Sequence, residues 1–123
     1  VDASAMIELL LGTSRAEAIA DRLRGHALHA PAHLEAEILS AMGRLERAGE
    51  LDAATVGDRI ERLRDAPLER HSLETLVEGA RGRRHNLRLV DALYVELADR
   101  LGAALITVDR GLARAVPAAD LID

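Results

Sequence analysis

Three carboxylates, Asp2, Asp91 and Asp109, stand where a folded chain could put them to chemical use. Asp109 ends an almost unbroken apolar run, Ala103 to Val108, which is too short for a helix and β-branched at Ile106, Thr107 and Val108. Such a run suits a parallel strand covered on both faces, and open α/β sheets place their ligands beyond the carboxyl ends of the strands. Asp2 reads as the end of another strand, and a few apolar residues ahead of Val1 are expected to complete it. Asp91 opens the helix that leads into the Asp109 strand. If the two strands are neighbours, their carboxylates face one crevice. Oxygen ligands without Cys or paired His suit Mg²⁺ or Mn²⁺, which keep several waters and bind substrate phosphates. Such an ion also offsets the repulsion among the acids. There is a plainer use for the same residues. Asp is a favoured helix N-cap, and Asp2 before Ala3 and Asp109 before Arg110 could each be only a cap. Position alone leaves the two readings level.

The elements that must hold these acids alternate between short strands and helices. Helices are expected over Ala3–Leu11, stopped by Gly12, and from the capping box Ser14–Glu17 to Gly25. Ala27–Ala30 reads as a strand closed by Pro31. Ala32–Ala48 is a long helix with Leu34, Ile38, Ala41 and Leu45 on one stripe. Asp52 caps a helix to Asp65 with Val56, Ile60 and Leu63 inward, and the two helices form a hairpin. Pro67–His71 reads as an edge strand, and Ser72 caps a helix from Leu73 to about Gly79. The basic tract Arg81, Arg83, Arg84, His85, Arg88 follows. In the helix that opens at Leu89, a leucine recurs every fourth residue to Leu101, and Gly102 stops it. Leu121–Ile122 is a last strand. The alternation implies a small α/β domain with a mostly parallel sheet between helix layers.

Composition excludes much. At 123 residues the chain is one domain, residues 1–123, with room for a single core. It has no cysteine, hence no disulfide frame and no thiolate chemistry. All 16 basic residues are arginines. Without lysine there is no P-loop, no Schiff-base enzyme, and no phosphoreceiver domain of the kind that needs one. The net charge of −5 speaks only weakly against nucleic acid, since a nuclease that holds metal with carboxylates can be acidic. No apolar run approaches membrane-spanning length and there is no secretory signal, so the expected location is cytoplasmic. The five histidines are scattered, none at metal spacing, and each reads as solvated or hydrogen-bonded.

Four stretches carry a resemblance. They are Val1-Asp2-Ala3-Ser4, then Pro31 through Ala41 (PAHLEAEILSA), then Val90-Asp91-Ala92-Leu93-Tyr94, then Leu105-Ile106-Thr107-Val108-Asp109. In this order and spacing they resemble the motifs of PIN-domain ribonucleases, and more narrowly the VapC-type toxins of toxin–antitoxin pairs. Each motif alone is weak; together they are specific and span the whole chain. The resemblance implies a PIN-like three-layer α/β/α fold with a central parallel sheet of about four or five strands. It also implies a Mg²⁺-dependent endoribonuclease, with Mn²⁺ as substitute.

Carried over residue by residue, the family's catalytic and metal-holding acids fall on Asp2, Glu37, Asp91 and Asp109, and its small hydroxyl positions on Ser4 and Thr107. Glu35 and Glu37 lie about 200° apart on a helix, flanking the core on opposite sides, so periodicity does not choose between them. The resemblance selects Glu37, which precedes Ile38 and the small residues Ser40–Ala41, and leaves Glu35 in reserve. The chain departs from many relatives at Arg88-Leu89-Val90, ahead of Asp91, where a hydroxyl and an aromatic are replaced; this bears on substrate detail. Arg84, Arg88 and Arg110 are candidates for RNA phosphates, against the alternative of plain surface residues. With one tyrosine and no Phe or Trp, recognition of RNA would lean on arginines and shape. The rival reading is a catalytically silent module that keeps the PIN-like shape and acts through protein or RNA contacts.

Partners follow from the same resemblance: a VapB-like antitoxin and a toxin homodimer. The helices Ala32–Ala48 and Ala53–Asp65 carry apolar residues beyond what one sheet needs, among them Leu39, Met42, Leu51, Val56, Ile60 and Leu63. Some of these are expected to line a groove for an amphipathic antitoxin segment.

Overall fold

The computed structural model describes residues 1–123. Helix α1 (Ala3–Leu11) is capped by Asp2, whose Oδ1 accepts from the Ala5 N–H at 3.0 Å, and ends on Gly12 at φ 65°, the left-handed stop. After α2 (Ala16–Leu23), β1 (Leu28–Pro31) leads into α3 (Leu34–Arg47) and α4 (Ala53–Asp65). Strand β2 (Leu68–His71) follows, then a 3₁₀ turn (Leu73–Thr75), α5 (Val77–Gly82) and α6 (Leu89–Leu101). Strand β3 (Ile106–Thr107), α7 (Arg110–Ala115) and β4 (Asp120–Leu121) complete the chain.

All strands pair in parallel: β1 with β2 in the register Leu28↔Leu68, and β3 with β4 in the register Ile106↔Asp120. The Asp2 N–H donates to the Ile106 carbonyl at 3.1 Å, which sets the first acid beside the strand that carries the last. Helices α1, α3 and α4 pack on one another, while α6 lies on β1 with α5 against it, giving the α/β/α layers. The main core joins Met6, Leu34, Ile38, Met42, Leu63, Leu68, Tyr94, Val95 and Leu105; a smaller one joins Ala5, Ile19, Ile106 and Ile122. No helix is long and apolar enough to cross a membrane.

Several local expectations need correction. Only the middle of the leucine row of α6 lies toward the core: Leu89 is 53% and Leu101 41% exposed, while Leu97 is buried with Ala92, Tyr94 and Val95. A four-residue repeat gains about 40° per step on a 3.6-residue helix, so the ends of such a row turn away from the core. The capping box at Ser14 does not form. The helix entry is already helical at Arg15, whereas a capping residue needs extended backbone, and Thr13 Oγ1 instead meets the Arg15 N–H. Ser72 likewise makes no cap bond, because a 3₁₀ turn intervenes before α5. The strand before Asp109 is shorter than its apolar run, with Ala103 and Ala104 exposed. On α3 and α4, Met42, Val56 and Leu63 are core residues, and only Leu39 of the expected groove set is largely open, at 59%.

Asp52 does cap α4, its Oδ1 accepting from the Thr55 N–H at 2.7 Å. Asp52→Ala is therefore expected to cost about 1 kcal/mol. Ser72→Ala is expected to stay within about 0.5 kcal/mol of wild type. Urea-unfolding midpoints of the two variants check the contrast.

Candidate active site

Parallel pairing of β3 with β4 and the tie from Asp2 to Ile106 bring two acids to one end of the sheet. Both cap the helix that follows. Asp2 caps α1, and Asp109 caps α7 through Oδ1 and the Leu112 N–H at 3.0 Å. At Asp109 the cap and the site readings are compatible, since the cap occupies a single oxygen, whereas both oxygens of Asp2 are bonded.

Asp2 is 5% exposed and fully bonded to neutral donors. Ser4 Oγ donates to its Oδ1 at 2.7 Å, and Thr107 Oγ1 donates to its Oδ2 at 2.6 Å. The Thr107 oxygen also accepts from the Asp109 N–H at 3.0 Å, and Ser4 Oγ accepts from the Val108 N–H at 3.3 Å. These two hydroxyls therefore tie the first acid to the backbone of Val108 and Asp109. Burial pushes the Asp2 carboxyl above its ordinary pKa, and the bonds from Thr107, Ala5 and Ser4 pull back against that rise.

Asp91, in the first turn of α6, lines a cavity of about 250 Å³ together with Asp109, Asn86, Leu87, Arg88, Gly111, Leu112 and Ala115. Arg88 grips Asp91 with Nε at 2.9 Å from Oδ2 and Nη2 at 3.2 Å from Oδ1. The guanidinium pKa is raised by this bond and charge of Asp91, and further by the charges of Asp109 and Glu37. Arg88 thus bonds one of the four candidate acids and feels the charge of two more.

Glu37, on α3, is not among the residues that line this cavity. Its Oε1 accepts from the Tyr94 hydroxyl at 2.6 Å and lies 3.2 Å from His33 Nε2. Burial, then the bond and charge of Glu37, hold the Tyr94 hydroxyl well above the ordinary tyrosine range, so it remains a donor. Glu35 turns the other way, bonded to Arg70 Nε at 2.7 Å. Tyr94 and His33 were not among the expected site residues. The His33–Glu37 spacing of one helical turn was the available signal for His33. The Tyr94 contact joins α6 to α3 and leaves no local trace.

Of the other basic candidates, Arg84 is exposed and bonds through Nη1 to the Arg81 carbonyl, while Arg110 pairs with Asp123 at 3.2 Å. The scattered reading of the histidines needs correcting at one place. Strand pairing sets His29 Nδ1 2.9 Å from His71 Nε2.

The site suits a hard divalent cation. Its donors at the cavity are carboxylate oxygens, as Mg²⁺ and Mn²⁺ require, and buried Asp2 has only neutral hydrogen-bond partners for its charge.

Comparison with known proteins gives the family and the fold. A family model described as PIN domain matches residues 1–116. The chain is 54% identical over 123 residues to Ribonuclease VapC3 of Mycobacterium tuberculosis, covering 99% of this chain and 90% of that protein. It is 34% identical over 117 residues to Ribonuclease VapC12 of the same organism, covering 93% and 88%. The crystal structure of PAE2754 from Pyrobaculum aerophilum superposes with a TM-score of 0.70 at 24% identity, covering 96% of this chain and 78% of that one, and shares its fold.

Proposed function

The chain belongs to the PIN-domain family, among the VapC-type ribonucleases, and from that premise we propose a Mg²⁺-dependent endoribonuclease toxin neutralised by a VapB-like antitoxin. The observation that carries the catalytic half is the cavity shared by Asp91 and Asp109. Asp2, Glu37, Asp91 and Asp109 would hold Mg²⁺, or Mn²⁺ in its place. Such an ion activates water toward a phosphodiester and neutralises charge that develops there.

The chain's own residues prepare this chemistry. Tyr94 and His33 fix the Glu37 carboxylate, and Ser4 and Thr107 fix that of Asp2, so little reorganisation is left for the reaction. Arg88 neutralises Asp91 and, released from it, can meet an RNA phosphate; Arg84 and Arg110 extend the same basic surface. Residues 1–123 act as a single domain, in the cytoplasm where the substrate is.

The antitoxin would occupy the groove of about 390 Å³ lined by Glu35, Leu39, Ile60, Leu63, Arg64 and Arg70, whose apolar floor and charged rim suit an amphipathic segment. A second copy of the chain would cover Val77, Leu89 and Val90, exposed apolar residues on the packed helices α5 and α6.

Total RNA incubated with the purified chain tests the enzyme. Discrete cuts with Mg²⁺, none with EDTA, and recovery with Mn²⁺ are expected. Cleavage that persists unchanged in EDTA would overturn the metal, and absence of cuts under every condition would favour the silent module. Light scattering on the chain alone, and with the product of the adjacent reading frame, tests both partners. The two glutamates give a sharper check on the site. Glu37→Gln is expected to lower the cleavage rate at least about tenfold more than Glu35→Gln. The reverse order would move the site to the other face of α3.

A further inference from the structure

The register of β1 and β2 assembles a second group of metal-ligating side chains that the nuclease does not use. Leu28 pairs with Leu68, so His29 stands opposite Glu69, and Pro31 opposite His71. Side chains two apart on a strand share a face, which puts His29, Glu69 and His71 together on one side of the ladder. His29 Nδ1 lies 2.9 Å from His71 Nε2 and 3.4 Å from Glu69 Oε2, and one ligand atom from each residue falls within 4.8 Å of the others. The two rings are 5.1 Å apart between centroids and tilted by 41°. The histidines are half-buried and Glu69 is exposed, so the group is rooted in the sheet yet open to solvent.

We propose that His29, Glu69 and His71 bind a zinc-type transition-metal ion, at a site separate from the carboxylate cavity, whose lining includes none of the three. Two imidazoles and a carboxylate are the ligands of a borderline metal such as Zn²⁺, Ni²⁺ or Cu²⁺, whereas Mg²⁺ takes oxygen alone. A tetrahedral zinc ion with its usual bond lengths separates neighbouring ligand atoms by about 3.3 Å. The observed 2.9 and 3.4 Å bracket that spacing, so small side-chain rotations complete the geometry. Three protein ligands leave a fourth position for water or an external ligand. Both strands supply ligands, so the bound ion clips β2 to β1, its one ladder partner.

The test uses the full chain without a polyhistidine tag, in excess Mg²⁺ to fill the carboxylate cavity, titrated with Zn²⁺ against a chromophoric chelator. One Zn²⁺ per chain is expected, together with a rise in melting temperature on adding it. Glu69→Gln changes a side chain that is 67% exposed, so the variant keeps its fold. It is expected to weaken binding by at least about tenfold and to remove most of the thermal shift. His71→Gln is expected to abolish both, and Asp91→Asn to leave both unchanged. Wild-type chain that fails to take up Zn²⁺ at one per chain overturns the proposal. So does equal affinity in wild type, Glu69→Gln and His71→Gln. Loss of binding in Asp91→Asn would assign the ion to the nuclease cavity instead. A chain without nuclease activity that still binds Zn²⁺ through His71 leaves this site standing.

Discussion

Asp109→Asn leaves the fold in place and lowers RNA cleavage by at least about a thousandfold. The structure separates the two effects. Asp109 caps α7 through Oδ1, 3.0 Å from the Leu112 N–H, and an asparagine oxygen accepts that bond equally well. What the amide removes is the negative charge that Asp109 shares with Asp91 across the 250 Å³ cavity. A divalent ion there supplies several kcal/mol of charge stabilisation, and each 1.36 kcal/mol is about tenfold in rate. Asp91→Asn should match it, at the further cost of an exposed ion pair with Arg88 that contributes about 0–1 kcal/mol. Asp2→Asn is a less clean variant, because the Thr107 hydroxyl donates to Oδ2, where the amide would set a second donor. Matched thermal melts and single-turnover cleavage in Mg²⁺ decide the matter. An Asp109→Asn enzyme within tenfold of wild type, equally folded, would remove the metal from this cavity.

The placement of these acids was legible because it depends on local pattern. Asp109 follows a β-branched run and precedes a helix, and Asp91 sits in the first turn of an apolar one, so their neighbourhood follows once parallel pairing is granted. The boundaries of α1, α4 and α6 were legible for the same reason: Asp2, Asp52, Gly12 and Gly102 act on their own turns. Other features depend on pairs far apart in the chain. Tyr94 meets Glu37 across 57 residues, and His29 meets His71 across 42. Neither pair has a local signature; each exists only because two helices or two strands take one relative position. The apolar surplus on α3 and α4 is smaller than periodicity suggests, for a physical reason. Met42 and Leu63 look redundant for one sheet, yet they fill the space between those helices and α1. A packed core uses volume that a periodicity count does not see.

Thr107→Val is expected to cost about 3 kcal/mol at neutral pH, roughly 10 °C in melting temperature, although it keeps the side-chain shape. The hydroxyl makes a charge-assisted bond to Asp2 Oδ2 at 2.6 Å and accepts the Asp109 N–H at 3.0 Å; valine offers neither. The cost depends on pH, with a definite sign. Burial raises the folded pKa of Asp2 above its ordinary 3.8. Its favourable contribution to stability is therefore complete below that value and is lost as pH rises through the folded pKa. The Thr107 bond opposes the rise, so its removal lifts the folded pKa further and deepens the loss at neutral pH. Below pH 3.8 Asp2 is protonated in both states, and only an ordinary neutral hydrogen bond of about 1 kcal/mol is missing at Oδ2. Urea unfolding of wild type and Thr107→Val at a series of pH values should show the gap widening as pH rises from that range to 7, with Thr107→Ser close to wild type. A gap independent of pH would mean that the Thr107 hydroxyl contributes ordinary neutral hydrogen bonds alone. In that case Asp2 would be held by Ser4 and the α1 backbone, and the hydroxyl link between the first acid and the last would carry no electrostatic weight.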